Sequence, residues 1–227
     1  MRKKAAVLTV LSGVLLLMAQ RSFAEQDTKL LTIVGLGDST TAGTPGFFSP
    51  SEEPPAGAGN PESQYAYWME KMHPDWRVLN RGVRGQRSDQ ILRRFDREVA
   101  VQHPDVVIVL AGVNDLHQGY EPSEVIRNLA ALYQKVSEIK ARLVVATILP
   151  YDLSSPEVQK NLEEVNAWIR AYAKKNPVGF CDTFSLLQDP GQPHHLIGSP
   201  DGIHPDVSGY RRMGEAFVPV IEDLVNS

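Results

Sequence analysis

Short apolar runs alternate with helical patterns along most of the chain. Apolar runs predict five strands, at residues 30–36, 76–79, 106–111, 143–149 and 178–181. The third run is almost continuous and β-branched, which is typical of a central strand in a parallel sheet. Apolar residues at helical spacing predict helices over residues 65–72, 88–100, 122–139, 156–173 and 205–225. The alternation predicts an α/β fold with three α/β/α layers, a flavodoxin-like five-stranded parallel sheet with helices on both faces.

Residues 43–61 interrupt this alternation. The segment is rich in proline and glycine, so we expect no regular structure in it. It carries two adjacent aromatic residues, Phe47 and Phe48, close to Pro50. Two interpretations of this pair stay open: the rings line a substrate pocket, or they fix the loop to the core.

The first 24 residues differ from the rest of the chain. Arg2, Lys3 and Lys4 precede an apolar stretch over residues 5–19, and small residues stand at Ser22 and Ala24. This pattern predicts a secretory signal peptide over residues 1–24 and a single domain over residues 25–227, exported to the periplasm or the medium. A membrane anchor is the alternative, but the apolar stretch is shorter than the roughly 18 residues that a span needs.

The net charge and the single cysteine limit the binding partners and the disulfides that we expect. The formal net charge of the chain is −4, and removal of the four positive residues of the leader takes it to −8. A mildly acidic protein is not expected to bind nucleic acid or an anionic membrane surface. The single cysteine, Cys181, allows no internal disulfide, and its apolar neighbours predict burial. Nothing in the sequence sets an oligomeric state.

Four polar clusters fall where strands end or where the last helix begins. They are Gly37-Asp38-Ser39, Asn80-Arg81-Gly82-Val83-Arg84-Gly85, Gly112-Val113-Asn114-Asp115 and Asp201-Gly202-Ile203-His204. The carboxyl ends of parallel strands meet at one edge of a sheet, where open α/β sheets bind their ligands. We therefore expect these clusters to form one site.

The same four clusters carry a family resemblance. Gly-Asp-Ser, Asn-x-Gly-x-x-Gly, Gly-x-Asn-Asp and Asp-x-x-His occur in this order, and together they resemble the blocks of the SGNH hydrolases, also called the GDSL family. Thr40 stands where the family usually has leucine. The resemblance covers essentially the whole predicted domain. It implies a serine hydrolase that cleaves carboxylic esters of small molecules, lipids or acylated carbohydrates through an acyl-enzyme, without a cofactor. The resemblance leaves open whether the enzyme is a lipase, a lysophospholipase, a thioesterase or a carbohydrate acetylesterase.

The residue types suit that chemistry. Ser39 is the candidate nucleophile, and His204 can take its proton and return it to the leaving group. Asp201, three residues upstream, can fix the histidine tautomer and stabilise the imidazolium. The resemblance assigns the oxyanion donors to the backbone N–H groups of Ser39 and Gly82 and to the side-chain amide of Asn114.

Two other functions stay open. A metal-dependent phosphoesterase would use Asp38, Asn114, Asp115 and His204 as ligands. A catalytically degenerate module would only bind glycan or lipid, although the intact Ser39, Asp201 and His204 argue against it.

For the polar residues near the candidate catalytic residues, we favour structural roles over catalytic ones. We expect Asp38 to shape the serine turn and Asp115 to brace its loop. Arg81, Arg84 and Arg87 form either an ion-paired surface or, less favoured, a contact for an acidic substrate. His194 and His195 have no further ligands at metal spacing, so no metal site is predicted.

Overall fold

A parallel sheet forms the centre of the protein. The structure, a computed structural model, describes residues 30–227, so the predicted signal peptide lies outside the described residues. Within them, the main sheet has five strands. They are β1 (Leu31–Gly37), β4 (Trp76–Gly82), β5 (Val106–Leu110), β6 (Arg142–Ala146) and β7 (Gly179–Cys181). The spatial order is β4-β1-β5-β6-β7, and every neighbouring pair is parallel.

This order is the flavodoxin-like order, so the predicted fold class is confirmed. The chain starts in β1, moves outward to β4, and then crosses to β5 on the other side. The reversal creates a crevice at the carboxyl ends of β1 and β5, which is the usual ligand position in such sheets. The register places Gly37 beside both Gly82 and Leu110 at this edge.

Helices cover both faces of the sheet. They are α1 (Ser39–Ala42), α2 (Tyr65–Met72), α3 (Ser88–Glu98), α4 (Val113–His117), α5 (Pro122–Glu138), α6 (Pro156–Lys175), α7 (Thr183–Leu187) and α8 (Val207–Asn226). Two-residue strands β2 (Phe47–Phe48) and β3 (Ala58–Gly59) pair with each other, as do β8 (Gln188–Asp189) and β9 (Gln192–Leu196). No helix between residues 30 and 227 combines the length and apolarity needed to cross a bilayer.

Alternation along the strands divides the core between the two faces. In β5, Val107 and Val109 pack with α3, α5 and α6, while Ile108 and Leu110 pack with α2 and α8. Successive side chains of a strand point to opposite faces, so a continuous apolar strand serves both layers. The near-unbroken apolar run at residues 106–111 is explained by this double burial.

The long elements agree with the sequence predictions to within two residues at most ends. The exceptions have local causes. The predicted strand over residues 143–149 ends at Ala146, because Ile148 exchanges hydrogen bonds with the side chain of Asn166 instead of a strand. The second strand continues to Gly82, so the first half of the Asn80–Gly85 cluster lies inside the sheet.

The prediction that residues 43–61 contain no regular structure is wrong in one detail. Phe47 and Phe48 pair antiparallel with Ala58 and Gly59, which makes a minimal hairpin, and a 3₁₀ turn begins at Pro61. Cys181 is buried as expected, and that burial raises the pKa of its thiol to about 12.

Candidate active site

Ser39 lies in a tight turn at the carboxyl end of β1. Asp38 caps the following short helix, because its Oδ1 accepts the Thr40 N–H at 3.0 Å. Gly37 must lack a side chain, since a Cβ there would collide with Thr41 Oγ1 and the Leu110 carbonyl. Gly43 ends the helix in the left-handed region, with φ of 105°. The turn therefore fixes the Ser39 backbone at the crevice between the central strands.

The Asp38 side chain is a buried carboxyl next to the serine. Burial raises its pKa to about 7, although hydrogen bonds from Thr40 and the charge of Arg94 oppose the shift. Its contacts agree with the predicted role of shaping the turn.

A chain of hydrogen bonds joins Asp201, His204 and Ser39. His204 Nε2 lies 2.8 Å from Ser39 Oγ, and His204 Nδ1 lies 2.7 Å from Asp201 Oδ2. Since a carboxylate only accepts, Nδ1 carries the proton, which leaves Nε2 free to accept the proton of the serine hydroxyl. Ser39 is thus brought to the distant Asp201–His204 loop, as the sequence analysis expected.

The loop that carries His204 is held mainly by its own residues, with one further bond from the Asp152 N–H to the Gly202 carbonyl at 2.7 Å. Asp201 Oδ1 accepts the backbone N–H groups of Ile203 and His204 at 3.0 and 2.8 Å. Burial raises the pKa of Asp201, but these bonds and the bond from the His204 ring outweigh it, so the pKa lies below its usual value. Ser199 Oγ bridges the loop by donating to the His204 carbonyl. Asp201 is consequently a carboxylate at neutral pH.

Asn114 lies in the first turn of α4, which follows β5, and it lines the same cavity as Ser39. Its Nδ2 donates one hydrogen to the Gln86 carbonyl at 2.9 Å. An amide nitrogen has two hydrogens, so the second remains available to a ligand. The structure therefore brings Asn114 beside Ser39, as predicted.

Gly82 does not lie where the prediction requires, and this is a correction. Its N–H donates to Asn80 Oδ1 at 2.9 Å inside β4, so that hydrogen is already used. A Cβ at Gly82 would collide with the backbone of Ala42, which explains the glycine by close packing. The Asn80 amide also binds the Ala42 carbonyl and Gln64, so Asn80 joins β4 to the Ser39 turn, a role that the sequence analysis did not assign to it.

Gly85, and not Gly82, lies at the cavity beside Ser39. It lines the cavity next to Ser39 and Asn114, and its φ of 69° is in the left-handed region. Within residues 30–227, no acceptor lies within hydrogen-bond distance of its N–H. Gly85 is the second glycine of the Asn-x-Gly-x-x-Gly cluster, so the sequence contained this residue in the cluster that was expected at the site.

The cavity beside Ser39 has a volume of about 300 Å³ and a largely apolar wall. Its lining residues are Ser39, Thr44, Arg84, Gly85, Val113, Asn114, His117, Tyr151, Ile203 and His204. Phe47 and Phe48 are not among them. Phe47 is buried in the base of the loop, and Phe48 is 40% exposed with its ring centre 3.4 Å from the Arg84 guanidinium carbon.

The arginines of this edge are largely paired. Arg84 lies 3.6 Å from Glu52 and donates to the Phe47 carbonyl, and Arg87 lies 3.2 Å from Asp89. This agrees with the ion-paired interpretation of the cluster, although Arg84 also forms part of the cavity wall.

The residues named for a metal site are engaged elsewhere. Asp115 accepts the N–H and hydroxyl of Ser88, so it braces its loop as expected, and Asp38 accepts the Thr40 N–H. His194 and His195 pair with different carboxylates, Glu163 and Asp152. Between residues 30 and 227, no three His, Cys, Asp or Glu side chains are grouped to hold a metal ion.

The chain belongs to the GDSL-like Lipase/Acylhydrolase family, whose model matches residues 36–212. This range covers the four polar clusters from Gly37 to His204. The structure of a GDSL-like lipase from Bacteroides thetaiotaomicron has the same fold, with a TM-score of 0.69 and 24% identity over 85% of this chain and 88% of that one.

Two curated proteins that are similar to this chain are named as esterases, which is consistent with the family. The esterase TesA of Pseudomonas aeruginosa is 26% identical over 66% of this chain and 72% of its own length. An acetylxylan esterase of Geobacillus stearothermophilus is 22% identical over 63% and 70%. N-acylneuraminate cytidylyltransferase of Streptococcus agalactiae is 31% identical over 42% of this chain, but the match spans only 23% of that protein. The protein is therefore a hydrolase of the GDSL esterase type.

Proposed function

We propose that this protein is an exported serine esterase that hydrolyses carboxylic esters through an acyl-enzyme formed on Ser39. The observation that carries the proposal is the continuous hydrogen-bonded chain from Asp201 through His204 to Ser39 Oγ, at 2.7 and 2.8 Å. A serine hydroxyl becomes a strong nucleophile only when a base removes its proton, and this chain supplies the base.

Acylation begins when Ser39 Oγ attacks the ester carbonyl carbon and its proton passes to His204 Nε2. The tetrahedral intermediate then collapses, the bond to the alcohol oxygen breaks, and His204 gives that proton to the leaving alcohol. Asp201 stabilises the transient imidazolium and holds its orientation. In deacylation, His204 takes a proton from water, whose oxygen attacks the acyl carbon, and Ser39 receives the proton back as the acid leaves.

The carbonyl oxygen becomes negative at each attack and needs fixed donors. We assign this role to the N–H groups of Ser39 and Gly85 and to the second hydrogen of Asn114 Nδ2. The Ser39 N–H, at the start of α1, has no acceptor among residues 30–227, and the Gly85 N–H has none there either. Unpartnered donors around the reacting carbon are what an oxyanion hole requires. Gly85 thus replaces Gly82 in the proposed site.

The substrate is a small ester, and none of these steps needs a metal ion or an organic cofactor. The family name includes lipases and acylhydrolases, and one relative is named an acetylxylan esterase, so a lipid ester and an acetylated carbohydrate are the candidate substrates. A panel of nitrophenyl esters of rising chain length, run beside acetylated sugars, would distinguish these classes.

A fluorophosphonate and a serine variant test the mechanism together. The reagent is expected to label the wild type once, at Ser39, and Ser39→Ala should lose both labelling and nearly all turnover, since loss of a triad serine costs several orders of magnitude. Ser185→Ala, which changes an exposed serine on α7, is the matched control and should behave as wild type. Folded Ser39→Ala that keeps a tenth of the activity would refute the proposed nucleophile.

Export rests on the sequence of residues 1–24. Expression of the full chain in a bacterial host, followed by fractionation and N-terminal sequencing, should recover a protein that starts at Glu25 outside the cytoplasm. Recovery of an intact chain with Met1 in the cytoplasm would contradict export.

A further inference from the structure

Arg94 is a buried charged residue directly behind the proposed site. It lies on α3 and is 3% exposed. Its Nη1 donates to Glu98 at 2.7 Å, its Nε donates to the Gln86 side-chain oxygen at 2.6 Å, and its Nη2 donates to the Gly37 carbonyl at 2.7 Å. Each of the three guanidinium nitrogens therefore binds a different segment or side chain.

Helix stability alone does not explain these contacts. Glu98 is one helical turn away and balances the charge of Arg94, as an ordinary i,i+4 pair would do on a surface. Burial of a guanidinium is costly unless its hydrogens are satisfied. The other two hydrogen bonds connect α3 to the end of β1, at Gly37, and to the loop that follows β4, at Gln86.

Two of the three acceptors of Arg94, Gly37 and Gln86, are adjacent to the proposed oxyanion donors. Gly37 precedes the Asp38-Ser39 turn, so its position sets that of the Ser39 N–H. Gln86 follows Gly85 directly in the chain. The carbonyl of the same Gln86 accepts the Asn114 amide at 2.9 Å. One guanidinium therefore fixes the spacing between segments that approach the site from β1, β4 and β5.

We propose that Arg94 is a positioning residue that holds the Ser39, Gly85 and Asn114 donors at the spacing that an oxyanion needs; this inference rests on the esterase mechanism proposed above. Its side chain is not part of the cavity wall, so it acts through the loops and does not contact substrate. Donors that are displaced by a fraction of an ångström still allow binding of the ester, but they stabilise the developing charge less.

The test compares Arg94→Met with Arg93→Met. Arg93 is the neighbouring residue of the same helix, and its exposed side chain pairs with Asp89, so it is a matched control. We expect Arg94→Met to lower kcat per fluorophosphonate-titrated site roughly 10- to 100-fold, with KM within about twofold of wild type. Affinity for a trifluoromethyl ketone, which forms a tetrahedral adduct, should fall by the same factor as kcat. Arg93→Met should change neither.

A second pair of variants removes the risk that Arg94→Met does not fold. Gln86→Met deletes the acceptor of Arg94 Nε and should lower kcat about tenfold, whereas Gln86→Glu keeps an acceptor and should retain nearly full kcat. A purely structural role would change the melting temperature and the number of titratable sites, but not kcat per site.

Two results would overturn the inference. One is a kcat per site for folded Arg94→Met within about threefold of wild type, and the other is equal losses for Gln86→Met and Gln86→Glu. Its failure is distinct from failure of the proposed function, which would show as turnover that persists in Ser39→Ala.

Discussion

The two sides of the proposed site are held together in different ways. The side that carries Ser39 is buried and cross-linked by contacts between distant segments: Asp38 is 1% exposed and Arg94 is 3% exposed. The side that carries His204 is a loop fixed mainly by its own hydrogen bonds, and the Asp201 side chain is 35% exposed. The position of the Ser39 nucleophile thus depends on packing around the sheet, while the position of the His204 base depends on the local loop over residues 199–204.

This difference separates stability from activity. A change in the loop over residues 199–204 should affect turnover with little effect on folding, because few contacts outside the loop are lost. A change around Asp38 or Arg94 should affect both, because buried polar groups lose their partners there. The following variants test that contrast.

The largest effect is expected for Asp201→Asn in the exposed loop. The new amide can still accept the Ile203 and His204 N–H groups through its oxygen, but its nitrogen would face His204 Nδ1. That favours the tautomer with the proton on Nε2, which cannot accept from Ser39, so kcat should fall about 10⁴-fold. Steady-state kinetics and thermal melting measure the two properties. A melting temperature lowered by more than a few degrees would show that the loop is not independent of the fold.

Asn114→Ala should have a smaller effect, on the buried side of the site. We expect kcat to fall roughly 10²- to 10³-fold with little change in KM, because the amide binds the oxyanion mainly in the transition state. Asn176→Ala, whose side chain binds the Tyr172 carbonyl far from the site, is the control. A change confined to KM would mean that Asn114 binds the ground-state ester.

Asp38→Asn tests the buried side through the pH dependence of stability. Burial raises the pKa of Asp38 to about 7 from 3.8, so between these values the folded protein binds more protons than the unfolded chain. The free energy of unfolding should therefore decrease as pH rises from 4 to 7 through this group, by on the order of 3 kcal/mol. Urea unfolding at several pH values should show that Asp38→Asn, which keeps the cap, lacks this decrease. Parallel curves for the two proteins would contradict the assignment.

Most of the fold was predictable because its signals are local. The doubly buried run at residues 106–111 and the helices around Leu129 and Val165 follow directly from apolar spacing. The short helices and hairpins were missed because they depend on tertiary contacts. The strand at residues 143–149 was predicted too long for the same reason, since the Asn166 side chain replaces the strand partner of Ile148.

The site was predictable only to the level of its clusters. Ser39, Asn114, Asp201 and His204 could be placed because parallel topology brings strand ends together. The choice between two glycines three residues apart could not be made from spacing, because it depends on where β4 ends and on the Asn80 side chain that takes the Gly82 N–H. Arg94 was not identified at all, since a charged residue in an amphipathic helix is ordinarily at the surface.

The smallest effect is expected at the loop over residues 43–61, where the two aromatic residues have different environments. Phe47 is 5% exposed, and its ring fills the space that a Cβ at Gly57 would need, so it packs within the folded loop. The ring of Phe48 stacks on the guanidinium of Arg84, and Arg84 is part of the cavity wall. Phe47 is therefore buried like the part of the site that carries Ser39, whereas Phe48 is exposed like the loop that carries His204.

Phe48→Ala should leave the melting temperature nearly unchanged and should raise KM about two- to fivefold. A cation–π contact at an exposed site is worth about 0.5–1 kcal/mol, and its loss frees the Arg84 side chain to move in the cavity wall. Phe47→Ala should show the reverse pattern, with a lower melting temperature and no change in the relative rates for different esters. A substrate profile that is identical in wild type and Phe48→Ala would show that the loop only covers the core, and that Arg84 is held by Glu52 and the Phe47 carbonyl alone.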